Sequence, residues 1–426
     1  MSLTLCLYED SRFRQFLPAT FLRPIYTLRP GVLTLFERAT YQFPEAEICF
    51  AAREDVAAMT AGQYPKYPVN IIKRGEGDVL FANGRIREYG NLAELVKSAT
   101  ISTVFQNNGV VVAVFLKGDL ATSLPAVASP DMYADIISRQ AAKIPTVPTT
   151  ATMYNYCFDL MNDIEKALVD DLTHFGPTLP APANVHLHDG VSLINDESIF
   201  LGNDITIYSN VAINAEPGPV YIGANCRIES GAVITGPVFI GANSVVAAGH
   251  IAGSSIGHTC RIGGEVEASI FHSYVNKHHA GFIGHSWVGS WVNFGAMTTN
   301  SDLKNNYSPI RMSIDGQQVD TGSIKVGSFI GDHTKFGIGT LLNTGINIGV
   351  CCNIFGGSLV TDKEVPSFSW GSSGSYQQYE FEKATQTAHR SAERRNTTIS
   401  DAEIGLLYSI SRGEIKDAGT IDFDTT

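Results

Sequence analysis

A bulky apolar residue returns every sixth position through two stretches of this chain. Ile222, Ile228, Ile234, Ile240 and Val246 form the first series; Ile330, Phe336, Leu342, Ile348, Ile354 and Val360 form the second. No α-helix holds one face at that period. Short strands that bend and return do, with one side chain per hexapeptide turned inward and stacked on its equivalent in the next coil. Small residues follow several inward ones, as in Ile222-Gly223, Ile240-Gly241, Ile330-Gly331 and Ile348-Gly349, where a corner leaves little room for a Cβ. The pattern predicts a parallel β-helix.

Between Val246 and Ile330 the period fails, and there the reactive side chains gather: His272, Lys277, His278, His279, His285, Asn293, Asp302 and Lys304. Interruptions of a repeat map to loops on its surface, often the binding face. The 426-residue chain is long enough for two or more domains. Its net charge of −12 argues against nucleic acid or an acidic membrane surface as partner. Seven scattered cysteines show neither metal-ligand spacing nor the density of a disulfide scaffold. With no basic-apolar leader and no run of 18 apolar residues, a cytoplasmic location is expected.

Before the repeats, apolar runs at 3–8, 48–52, 69–72, 79–81 and 110–116 alternate with helical patterns, which favours a mainly parallel sheet wrapped by helices. Arg12, Arg14, Arg23 and Arg29 follow the first run, at the edge where open α/β sheets bind ligands; a salt-bridged surface is the competing reading. The expected division is an α/β domain at 1–178, a β-helix at 183–370 and a helical cap at 371–426, packed on the end of the solenoid.

The segment His279-Ala280-Gly281-Phe282-Ile283-Gly284, the later VNFGA with Asn293, and the closing VTDKEVP resemble the bifunctional uridyltransferase and glucosamine-1-phosphate acetyltransferase family, in its variant with a divergent amino-terminal half. The resemblance implies a sugar-1-phosphate nucleotidyltransferase-like domain (Rossmann-like) followed by a left-handed β-helix that trimerises, with acetyl-CoA sites between subunits. It places His279 as general base, with Asn293 and either Asp302 or Asn300 as its catalytic partners. Glu265, Lys277, Phe282 and Lys304 would contact the amino sugar phosphate; Gly295, Ala296, Asp332 and Gly356 would contact acetyl-CoA. An imidazole near neutral pH suits removal of a proton from an attacking amine, and N–H groups around Gly295 and Ala296 would serve the oxyanion.

Two positions depart from the family's pattern. Glu267 stands for its phosphate-binding lysine, and Phe282 for its tyrosine. The Gly-rich phosphate loop after the first strand is replaced by Glu9-Asp10-Ser11-Arg12. Arg12, Arg14 and Arg23 are the nucleotide-binding candidates, with Asp119 in FLKGD as the carboxylate for Mg²⁺. Phe239, Phe294 and Trp291 are the apolar residues expected to face outward at the trimer contact. Two other readings compete: a non-catalytic trimeric scaffold or sugar-nucleotide sensor, and a metal site built from His272, His278, His279 and His285.

Overall fold

The computed structural model describes residues 2–72, 77–141, 144–414 and 420. Its first domain is a six-stranded sheet ordered Glu47–Ala51, Ser2–Tyr8, Gly77–Asn83, Val110–Leu116, Thr103–Asn107, Thr146–Pro148. Alternate residues of the central strands feed two cores. Leu5, Leu7, Phe50 and Leu80 pack with Phe36 and Leu92 on one face; Cys6, Cys49, Val79 and Phe81 pack with Leu124 and Tyr133 on the other. The first three strands are parallel, but Val110–Leu116 runs antiparallel to both of its neighbours. The sheet is therefore mixed where a mainly parallel one was expected. The cause lies in Asn108-Gly109, both at positive φ (49° and 80°), a pairing that favours a two-residue hairpin and reverses the chain without a crossover helix.

From Val185 the chain winds into a parallel β-solenoid with one continuous apolar interior. The six-residue series stack inside as expected. The coil also runs on through the stretch where the period fails, with Ile251, Ile256, Ile262, Val266, Phe271, Ile283, Val288 and Phe294 in the same interior. Spacing is lost at shortened or lengthened corners while the coil itself continues. The segment that leaves it is the hairpin Arg311–Ile314/Gln317–Asp320. Two inward positions in this region are polar: Lys277 pairs with Ile262 in the rung before it, and Asn300 pairs with Leu342 in the rung after it.

Successive coils approach closely at the corners. A Cβ on Gly295 would come within 2.5 Å of the Gly337–Ile338 peptide, so only glycine fits there. Ser369–Ser372 pairs in parallel with Asn353–Ile354 as the last strand of that face, and Ser375–Gln378 folds back on it as an antiparallel hairpin. The helices Phe381–Glu393 and Asp401–Ser411 then return along the side of the solenoid instead of covering its end. Ala388 and Ala392 rest on Trp291, while Leu406, Leu407 and Ile410 reach Val56 and Met59 of the first domain. The first domain docks on the coil through a shared apolar core in which Phe16, Ile25, Leu28 and Leu168 meet Trp287, Ile310, Met312 and Phe329.

Candidate functional site

His279 sits at a corner between two faces of the solenoid, with its side chain exposed. The turn that carries it is tied down from inside. Lys277, buried in the interior column, donates to the carbonyls of Gly263 (2.7 Å), His279 (3.0 Å) and Gly281 (2.7 Å). Those three bonds use all three ammonium protons, so Lys277 holds the histidine turn in place, in contrast to the substrate contact that the resemblance implied for it. Burial pushes its pKa down to about 8, partly offset by the charge of Glu265.

One rung on, the same corner is Gly295-Ala296, whose strand is followed in the next rung by Gly337-Ile338. The Gly295 N–H donates to the Phe336 carbonyl at 2.9 Å, so the coil ladder consumes a group expected to stabilise an oxyanion. Asn293 faces outward beside the corner and accepts from the Asn276 amide at 2.8 Å. Met297, Ile338 and Phe355, next to Gly356, are 60%, 77% and 39% exposed along this edge. The residues expected to face outward are enclosed instead. Phe294 stacks inside on Phe336, Phe239 lies between Tyr221 and the Arg29 guanidinium, and Trp291 stacks on Tyr274 beneath the tail.

The adjoining face carries Glu265 opposite Phe282, with Glu267 in an ion pair to Lys325 at 3.1 Å. Here the His285 Nδ1–H donates to Asp302 Oδ2 at 2.7 Å, and His285 lines a cleft of about 500 Å³ with Glu165, Ala268 and Lys325. Burial alone would raise the Asp302 pKa; the hydrogen bond and charge of His285, with Lys325, outweigh it and hold the carboxyl below its ordinary range. Asn300, the other placement for that partner, is a wall residue: its amide brackets the Gly284 N–H and carbonyl at 2.9 and 3.0 Å. The His285–Asp302 pair escaped the sequence reading because its members are 17 residues, about one coil, apart; that spacing was its one signal. Lys304 donates to the Pro309 carbonyl at 2.7 Å and so closes its own loop. His272 is tied to Ser290 at 2.9 Å, and among the described residues no group of three or more His, Cys, Asp or Glu could hold a metal.

The arginines of the first domain are spent largely on docking. Arg23 is buried against Asp332, Nη1 to Oδ2 at 3.1 Å, which removes both from the roles expected of them in nucleotide and acetyl-CoA binding. Asp332 also accepts from the Ser290 N–H at 2.8 Å. Arg14 pairs with Asp315 of the inserted hairpin at 3.2 Å, and Arg29 donates to Ser255 and to the Phe271 carbonyl. Arg12 is exposed and reaches Asn155 at 3.4 Å.

At the carboxyl end of the first strand, Glu9 pairs with Arg53, and Asp10 pairs with Arg85 and Asn83. Asp119 lies elsewhere. The strand that precedes it, Val110–Leu116, is antiparallel to Gly77–Asn83, with Leu116 opposite Val79 and Lys117 paired to Asp78, so Asp119 stands at the opposite end of a seven-residue strand from Asp10 and Asn83. That strand is about 23 Å long, too far for one triphosphate site to join Asp119 to Arg12 and Arg23. With Asp10 already held by a guanidinium, the arrangement does not fit a divalent cation.

Residues 5–176 match the sugar nucleotidyl transferase family. The bifunctional sugar-1-phosphate nucleotidylyltransferase/acetyltransferase of Sulfurisphaera tokodaii is 30% identical over 96 residues, 22% of this chain and 24% of that protein. The bifunctional protein GlmU of Thermotoga maritima is 26% identical over 220 residues, 50% of this chain and 45% of that protein. In these matches the chain spans between about a quarter and a half of its relatives' length. Among solved structures, a UDP-N-acetylglucosamine acyltransferase from Campylobacter jejuni superposes with a TM-score of 0.30 at 13% identity, over 52% of this chain and 95% of that one. No described helix is long and apolar enough to cross a membrane.

Proposed function

We propose that the solenoid transfers an acetyl group from acetyl-CoA to the amine of an amino sugar phosphate resembling glucosamine-1-phosphate, with His279 as general base. The observation that carries this reading is the setting of His279: an exposed imidazole on a turn fixed from inside by Lys277, beside the outward amide of Asn293. His279 removes the proton as the amine attacks the thioester carbonyl; a C–N bond forms, the C–S bond breaks, and the thiol leaves with a proton. The exposed run Met297, Ile338 and Phe355 supports assembly as a homotrimer in which a second copy covers this edge.

The amino-terminal domain, on this proposal, is the nucleotidyltransferase-like partner for sugar-1-phosphate, and the coupled product is a nucleotide sugar such as UDP-N-acetylglucosamine. Its carboxylates do not fit Mg²⁺ as arranged, so no nucleotidyl-transfer step is derived from them. The seven free, buried cysteines agree with a cytoplasmic location.

A second reading has its own observation. His285 is oriented by Asp302 through Nδ1 and lines a cleft, which leaves Nε2 outside that hydrogen bond, an arrangement also suited to proton removal. Release of free thiol from acetyl-CoA with glucosamine-1-phosphate as acceptor, measured for His279→Ala and His285→Ala side by side, assigns the base.

A further inference from the structure

Four rungs of the solenoid present an outward polar column: Arg261, Asn276, Asn293 and Lys335 occupy equivalent positions. Arg394, which is exposed, and Arg395 follow the tail helix Phe381–Glu393 and border, with this column, a half-open cavity of about 150 Å³. The lining contains four cationic side chains and no carboxylate. Elsewhere four enclosed arginines, Arg23, Arg38, Arg53 and Arg85, are paired with acids, while Arg29 is satisfied by Ser255 and the Phe271 carbonyl. Arg261, Lys335, Arg394 and Arg395 have no such partner among the described residues, in a protein whose net charge is −12 and which has acids to spare.

The spare hydrogen-bonding capacity points the same way. Arg395 Nε is buried without a hydrogen-bond acceptor. Lys335 gives one proton to the Trp291 carbonyl and keeps two. Asn293 accepts from Asn276, which leaves its own NH₂ unspent in that pair. The cluster is unfavourable as it stands. Burial, then the charges of Arg261 and Arg394, lower the Arg395 pKa, and burial brings that of Lys335 down to about 8. The carbonyls at the end of the tail helix favour cations at 394 and 395. They do not explain two more on the facing coil.

We propose that this cavity binds a phosphoryl group, carried by a phosphomonoester or a pyrophosphate, between the solenoid face and the tail. A multiply charged oxyanion neutralises the cluster and accepts from guanidinium, ammonium and amide donors together. The proposal rests on the charge and donor inventory and stands apart from the acyl-transfer reading. Asn293 links the two, since it borders both the cavity and the His279 corner.

Titration calorimetry of the full chain at low salt, with pyrophosphate, glucosamine-1-phosphate and adenosine 3′,5′-bisphosphate as probes and glucosamine as the uncharged-oxygen control, tests the site. At least one phosphorylated probe binds while glucosamine does not, and Arg394→Ser/Arg395→Ser weakens it by about tenfold or more. Tightest binding of glucosamine-1-phosphate identifies a sugar phosphate as the source of the group; tightest binding of the bisphosphate identifies the nucleotide end of a cofactor. Arg261→Ser, on the other wall, gives a second reading if the double variant loses its thermal transition. No binding to the wild type, or binding unchanged in every folded variant, overturns the proposal.

Discussion

Arg23 and Asp332, 309 residues apart, form a buried ion pair across the junction between the sheet domain and the solenoid. Arg23 also donates to the Ala19 carbonyl and lies over the Trp287 ring. The pair makes the two domains one structural unit at the place where a sequence reading sees two separate ligand sites.

Removing one partner leaves the other charge buried and alone. Arg23→Met or Asp332→Leu therefore lowers unfolding stability by about 3–5 kcal/mol, whereas the double replacement recovers a large part of the loss. Denaturant unfolding of the four proteins measures this as a coupling energy; additive losses contradict a specific pair.

The buried lysine behind His279 gives a pH signature. Its folded pKa of about 8 lies below the ordinary value of about 10.4. Below pH 8 both states carry the proton and the full cost of burying the charge is present. Between about 8 and 10.4 the unfolded chain holds more protons, so this group makes stability rise with pH. The stability of the wild type relative to Lys277→Met accordingly shifts in favour of the wild type as pH is raised from 8 to 10. A difference that stays constant over that window contradicts a charged lysine inside the coil.

For the sheet domain the hairpin at Asn108-Gly109 sets the expectation. Asp119 stands at the wrong end of the sheet to share a site with Arg12, so Asp119→Asn leaves any pyrophosphate release from nucleoside triphosphate and sugar-1-phosphate at the wild-type rate. A loss of more than about tenfold in that assay contradicts the placement.

How far the sequence could be read follows from which interactions are local. The period of six is written residue by residue, since each inward side chain packs on its own equivalent in the next coil, and Ile222 through Val246 land where expected. The coil past Val246 was obscured because corners changed length and because Lys277 and Asn300 put polar residues at inward positions, where a count of apolar residues cannot see them. The Asn108-Gly109 turn is legible too, since that residue pair tolerates positive φ at both positions. The fates of Arg14, Arg23 and Arg29 were not legible, since each is decided by a partner more than 200 residues away.

The exposed edge beside His279 predicts assembly. Ile338→Asp or Met297→Asp places a charge in the proposed contact and converts a trimer to monomers in sedimentation at micromolar concentration, with little change in the fold of each chain. A wild-type monomer, or a trimer indifferent to both changes, removes this edge as the interface.

The central claim is that His279 takes the proton in acyl transfer, and the turnover of acetyl-CoA with glucosamine-1-phosphate by His279→Ala tests it most directly. The side chain is exposed, so the replacement changes stability by no more than about 0.5 kcal/mol. The rate falls by about a hundredfold to ten-thousandfold with acetyl-CoA affinity nearly unchanged, while His285→Ala stays within about threefold of the wild type. Full activity in His279→Ala, with the loss appearing in His285→Ala instead, contradicts the assignment and moves the base to the His285–Asp302 pair.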